Sequence, residues 1–308
     1  MSNSSRCVVA CLSLSLAACA SAGQSPTPVA PESQLQQVLA FDGLDGTQLE
    51  PAALLERVRA ADVVLIGELH GHPVGLPFAA ELFDRAIEHE PSAALALEFL
   101  ARDTQHVVDA YLADLIEWDA MVEGMAGSTA SSPESHRPMV ESAKAAGVPV
   151  LAANSPRIYT RAASKLGYGT LSELSSSQRR LFDVPPVMPG GDYEQGFYDL
   201  MGGHMGGDAA PGDGPSEAVR NSFRAQALWD GTMATTVSGA LQRGNAPVFL
   251  VVGQYHCDND GGTLQVLRNL NPEADILVVS VSPTWSEELL EEDRGRADCI
   301  VYVGPFEG

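Results

Sequence analysis

Short, continuous apolar runs most constrain what this chain can fold into. They are Val63-Val64-Leu65-Ile66, Ala94-Leu95-Ala96-Leu97, Val148-Pro149-Val150-Leu151, Val248-Phe249-Leu250-Val251-Val252 and Ile276-Leu277-Val278-Val279. Apolarity without alternation implies strands covered on both faces. Between them lie segments with helical spacing, Leu76 to His89, Thr104 to Trp118, Pro138 to Ala146 and Ala218 to Leu241. The alternation predicts an α/β domain with a mostly parallel central sheet flanked by helices. A last run, Cys299-Ile300-Val301-Tyr302-Val303, reads as an edge strand returning after the acidic stretch Glu287 to Asp293. The Gly- and Pro-rich stretch Val184 to Pro215 breaks the rhythm and reads as a helical excursion or lid over the sheet. With 308 residues, 45% of them hydrophobic, the chain is long enough to bury such a core.

The first residues read as processing signals. Arg6 precedes an apolar run, Cys7 to Ala18, too short for a mature membrane span but suited to a signal-peptide core. It ends in Leu16-Ala17-Ala18-Cys19, which resembles a bacterial lipobox, so residues 1–18 are expected to be removed and Cys19 to carry a lipid. Residues 19–40 then form a lipidated tether, rich in Ser, Gln, Pro and Ala to about Pro31, and residues 41–308 a single domain. Ala20 after the cysteine suggests the outer membrane of a Gram-negative cell. The remaining thiols, Cys257 and Cys299, are a candidate disulfide in an oxidising compartment; the alternative is a free Cys257, buried or ligating a metal. The formal charge of −22, from 18 Lys+Arg against 40 Asp+Glu, repels phosphate backbones and argues against nucleic acid as a partner.

The most informative polar residues stand where the apolar runs stop. Loops leaving the carboxyl ends of parallel strands line the ligand crevice of an open sheet. One run gives Glu68 and His70, the next Glu98, the next Asn154, and the fourth Gln254 and His256. Gly67 and Gly253 are expected to let the backbone approach a bound group closely. In the helical stretch Phe223 to Met233, Gln226 and Asp230 are four apart and share a face, which adds them to the candidate ligand-binding set.

These pieces together resemble the ChaN family of haem-binding, iron-regulated bacterial lipoproteins, within the wider Tiki/TraB/erythromycin-esterase-like superfamily. The resemblance spans about Ala61 to Pro283. It is carried by Gly67-Glu68-Leu69-His70, by Glu98-Phe99 with Arg102-Asp103-Thr104-Gln105, by Ala153-Asn154-Ser155-Pro156-Arg157, by Ala225 through Ala234, and by Gly253-Gln254-Tyr255-His256. One departure is plain: after the first motif many members read Asp-Asn-Pro and a histidine pair, whereas this chain reads Gly71-His72-Pro73, with His72 the only substitute in that loop.

The resemblance implies reversible haem capture in iron acquisition. A haem iron needs an axial imidazole or phenolate, and its propionates need donors. His256, His70, Tyr255, Tyr111 and His204 are candidates, with Met201 and Met205; the packing alternative for Tyr193, Phe197 and Met201 is the cover of a core. No Cys-x-x-Cys-His is present for covalent attachment. The superfamily also allows a metal-dependent hydrolase, in which His70, Glu98 and His256 hold a divalent cation and Glu68 acts as general base toward a bound water of pKa ~7. The expected partners are haem and, through Cys19, a membrane, with a homodimer left open.

Overall fold

The computed structural model describes residues 33–127, 133–204 and 214–306. The signal segment, Cys19 and Met205 lie outside these residues, as does the side chain of His204. Eight strands run in chain order as β1 (Leu39–Asp42), β2 (Gln48–Leu49), β3 (Val63–Glu68), β4 (Ala94–Ala101), β5 (Val150–Asn154), β6 (Val248–Gly253), β7 (Ile276–Ser282) and β8 (Cys299–Tyr302). The helices are α1 (Pro51–Ala60), α2 (Gly75–Ile87), α3 (Gln105–Leu112), α4 (Trp118–Gly124), α5 (Arg137–Ala146), α6 (Arg157–Leu166), α7 (Tyr168–Ser172), α8 (Ser176–Arg179), α9 (Asp192–His204), α10 (Glu217–Gln242) and α11 (Gly262–Leu270).

The strands form one sheet in the order β2-β1-β8-β7-β3-β6-β4-β5. Strands β3 through β8 are mutually parallel, with Val63 level with Val248 on one side and Ile276 on the other. Only β1 runs against its neighbours, β2 and β8. The sheet separates two apolar layers. Val64, Ile66, Leu95, Leu97, Phe249 and Val251 meet α2 and α5 through Phe78, Leu82, Phe83 and Met139. On the other face Val63, Leu65, Ala94, Ala96, Val248 and Leu250 meet α10 and α11 through Met233, Val237, Leu264 and Leu267. Successive residues alternate between two buried faces, which is why the runs carry no polar alternation. Among the described residues no helix is long and apolar enough to cross a membrane.

Local chemistry sets the helix boundaries. Ser216 accepts the Val219 N–H to cap α10, and Gly147, at φ +69°, closes α5 in the left-handed conformation that costs other residues strain.

Four expectations need correction. The tether does not extend to residue 40, because the compact domain begins at Ser33 and Leu39 and Ala40 already pair with β8. Strand β8 is interior, since the Leu39–Asp42 segment covers it. The helix expected from Thr104 to Trp118 stops at Leu112, with Asp114 at φ +57° just beyond it, and Trp118 opens a separate helix. Cys257 and Cys299 are free thiols, buried in the apolar layers on opposite faces of the sheet, so no bond joins them. Within the Gly- and Pro-rich excursion, α9 packs Tyr193 and Phe197 on Phe223 of α10, with Met201 and Tyr255 against them, as the packing alternative has it.

Candidate functional site

The parallel strands end on a common edge, and four of the residues expected there meet. Glu68 closes β3 and is buried. Its Oε1 accepts from His70 Nδ1 at 3.0 Å and from His136 Nε2 at 3.0 Å. Burial acts against the carboxylate, but the hydrogen bonds and charge of the two imidazoles outweigh it and hold the Glu68 pKa at about 2. The hydrogen bond that His70 donates to Glu68 in turn raises the pKa of His70, against desolvation. His70 keeps 59% of its side chain exposed, with its Cε1 and Nε2 near Gly253. His136 is buried, stacked on Phe99 with ring centroids 4.6 Å apart, and its Nδ1 and Glu68 Oε2 lack partners.

Beside this pair stands a second, deeper one. The pairing of β4 with β5 slips between Leu97 and Ala101, an irregularity that brackets Glu98 and re-aims a strand side chain. Glu98 Oε2 accepts the Gly253 N–H at 2.6 Å, and Oε1 stands 3.6 Å from His256 Nε2. His256 Nδ1 donates to Asp230 Oδ1 at 2.6 Å. Asp230 also accepts from Thr263 Oγ1 at 2.8 Å and Tyr193 OH at 2.7 Å, so this fully buried carboxylate has three donors. Burial would lower the His256 pKa, yet the charges of Asp230 and Glu98 and the Asp230 hydrogen bond carry it up to about 9. Gln226 Nε2 donates to Tyr193 OH at 3.1 Å and lies 3.4 Å from the His256 ring.

Two glycines shape the site by close approach. A methyl on Gly253 would stand 3.4 Å from the His70 ring and 3.5 Å from Glu98 Oε2, so this glycine faces the gap between the two pairs. A methyl on Gly262, which opens α11, would overlap the Asp230 carboxylate.

Glu68, His70, Glu98, Gln226, Asp230 and His256 are thus brought together, and two expected residues are not. Asn154 Oδ1 accepts the adjacent Ser155 N–H, and Gln254 donates its amide to Ser280 Oγ and the Val281 carbonyl on β7. Both serve their own backbone surroundings. Two other candidates, His72 and Tyr111, are committed elsewhere. His72 is buried, its Nδ1 accepting the Val74 and Gly75 N–H groups and its Nε2 on the Gly304 carbonyl, while Tyr111 donates to Glu141 beside Trp118. His136 is the residue that strand-end reasoning misses. It arrives on the 3-10 turn Pro133–His136 ahead of α5, where no apolar run marks a strand end.

The metal-ligand set does not hold. Among the described residues no three His, Cys, Asp or Glu side chains are disposed to hold a metal ion. Both His256 nitrogens already face carboxylates, Nδ1 at 2.6 Å from Asp230 and Nε2 at 3.6 Å from Glu98. Glu68, the candidate general base of that alternative, is buried and engaged by both His70 and His136.

A family model described as haem-binding uptake, Tiki superfamily, ChaN, matches residues 54–267. The chain belongs to this family. The fold agrees: a solved structure of ChaN from Campylobacter jejuni with cofacial haem superposes with a TM-score of 0.64 at 16% identity, covering 86% of this chain and 96% of that one. Weaker likenesses reach an erythromycin esterase mutant in its open conformation, at TM-score 0.42 and 11% identity over 80% of this chain and 77% of that one. A MARTX toxin effector domain from Vibrio vulnificus gives 0.39 and 17% identity over 80% of this chain and 36% of that one. No curated protein sequence matches this ChaN-family chain.

Proposed function

We propose that this ChaN-family protein binds haem reversibly at the cell envelope as part of iron acquisition. The observation that carries the reading is the haem-binding family match over residues 54–267, more than half of the chain. The donor set fits such a ligand at one position. A histidine that ligates a metal commonly gives its other ring nitrogen to a carboxylate, and His70 has Nδ1 on Glu68 and a side chain 59% exposed. His70 is therefore the residue that would hold the iron, with Glu68 and His136 fixing the ring behind it. Haem would supply the iron and the macrocycle as cargo; the chain binds and orients it. Hemin titrated into the domain from residue 20 onward should give a saturable Soret band whose position and intensity change in His70→Ala. A protein that shows no saturable band does not bind haem.

The envelope location rests on the lipobox-like Leu16-Ala17-Ala18-Cys19. In that reading Cys19 is acylated and anchors the protein, in the outer membrane of a Gram-negative cell. Labelled palmitate should enter the wild-type chain and not Cys19→Ala, and equal labelling of both would remove the anchor.

A second reading has its own observation. An exposed imidazole backed by a buried carboxylate is a proton-transfer pair, so the His70–Glu68 pair is suited to metal-free ester hydrolysis. Turnover of an ester panel that survives chelation and disappears in His70→Ala would support it. Hydrolysis unchanged in that variant would exclude this pair as its source.

A further inference from the structure

Residues 157–180 reverse the charge of the chain. They carry Arg157, Arg161, Lys165, Arg179 and Arg180 against Glu173 alone, in a protein whose formal charge is −22. On α6 the cations Arg157, Arg161 and Lys165 stand four apart and form one row, and Ile158, Ala162 and Leu166 form the next row, about 100° round the helix. Ile158 and Leu166 are 71% and 65% exposed, whereas Thr160 and Ala163 are the buried side. The row beyond, at Tyr159 and Ala163, is where the chain folds back: Leu171, Leu174 and Phe182 pack there, with the Tyr159 and Phe182 rings 4.8 Å apart. Arg179 and Arg180 are exposed just ahead of Phe182, on the other flank of the aliphatic row. Carboxylates offset little of this charge. Asp103 shares a hollow with Arg157, Ile158 and Arg161, and Asp183 is paired with Arg102 at 2.6 Å. Lys165, Arg179 and Arg180 enter no ion pair among the described residues.

We propose that this face docks on an anionic phospholipid surface. The cations bind lipid phosphates, while Ile158 and Leu166 enter the boundary between headgroups and acyl chains. Insertion removes two large aliphatic side chains from water, and cations short of carboxylate partners gain most from a surface of fixed negative charge. A soluble acidic partner would use the cations and leave the aliphatic row idle, which favours the bilayer. The acidic remainder of the chain does not forbid the contact, because charges farther away than a Debye length, about 8 Å at physiological salt, are largely screened. The contact depends neither on haem nor on an acyl chain. Where Cys19 anchors the protein, it fixes which side of the domain faces the membrane.

The domain from residue 20 onward lacks Cys19, so its vesicle binding reads this face without an acyl chain. It should co-sediment with phosphatidylcholine vesicles containing about 30% phosphatidylglycerol about tenfold or more better than with phosphatidylcholine alone, and lose that preference between about 50 and about 300 mM salt. The variant R161Q/K165Q/R179Q changes exposed side chains, should fold normally by circular dichroism, and should bind the anionic vesicles about tenfold or more weakly. I158S/L166S should weaken binding by about threefold or more and leave its salt dependence in place. The control R59Q/R243Q removes two cations outside the face and should bind as wild type does. Wild-type protein indifferent to phosphatidylglycerol, or a charge variant that binds as tightly as wild type, would overturn the proposal. An equal loss in R59Q/R243Q would put the attraction in overall charge and overturn the face. Unchanged affinity in I158S/L166S would overturn insertion of the aliphatic row. Dimerisation in sedimentation velocity that the charge variant abolishes, without vesicle binding, would give the face to the acidic surface of a second copy and overturn the bilayer.

Discussion

Asp230 shows how much one buried side chain depends on its neighbours. It is a carboxylate with no solvent contact, tolerable because His256, Thr263 and Tyr193 all donate to it. That arrangement needs the bare backbone of Gly262, so Gly262→Ala should destabilise the domain by about 1–3 kcal/mol, read from the midpoint of urea unfolding. An unchanged midpoint would mean the carboxylate can move aside freely. His136 is a second such dependence. His136→Phe keeps a ring against Phe99 but removes a donor to Glu68, at an expected cost of about 1–3 kcal/mol, and should lower the His70 dependence of any hemin spectrum. The sequence made Glu68, His70, Glu98 and His256 legible because each follows an apolar run, and in a parallel sheet those ends converge. It could not tell that Asn154 and Gln254, at equivalent places, turn to nearby backbone. Nor could it place His136, whose position depends on how the turn before α5 folds back over β3.

At the scale of elements, the strands were readable wherever burial on both faces left an unbroken apolar run, and unreadable where pairing alone defines them. Leu39-Ala40-Phe41-Asp42 is short and ends in a charge, yet it lies antiparallel along β8 with four paired positions. Its partner therefore looked like an edge. Removing residues 33–42 should expose the backbone of β8 and produce concentration-dependent aggregation by light scattering, whereas a chain beginning at Ser33 should stay soluble. Equal solubility of the two would show that β1 contributes little. The break between α3 and α4 was hidden for a related reason: apolar spacing continues past Leu112, where α3 ends, and through Asp114, where the backbone is left-handed.

For the whole molecule, the two acid–imidazole pairs set opposite pH limits. Glu68 has its pKa lowered from 4.5 to about 2, so its contribution to stability is complete above 4.5 and is lost as pH falls toward 2. His256 has its pKa raised from 6.5 to about 9, so its contribution is complete below 6.5 and is lost as pH rises through 9. Unfolding free energy should therefore be greatest between about pH 4.5 and 6.5 and fall on either side, by an amount on the order of a few kcal/mol. Urea titrations across that range test it, and Asp230→Asn should flatten the alkaline arm. A profile that keeps rising above pH 6.5 would contradict the charged state of His256.

The placement of Cys257 and Cys299 on opposite sides of the sheet has a practical corollary. With no covalent staple between them, the domain's shape owes nothing to redox poise. Material made in a reducing cytosol and kept in thiol reductant should melt at the same temperature as material exported through an oxidising compartment.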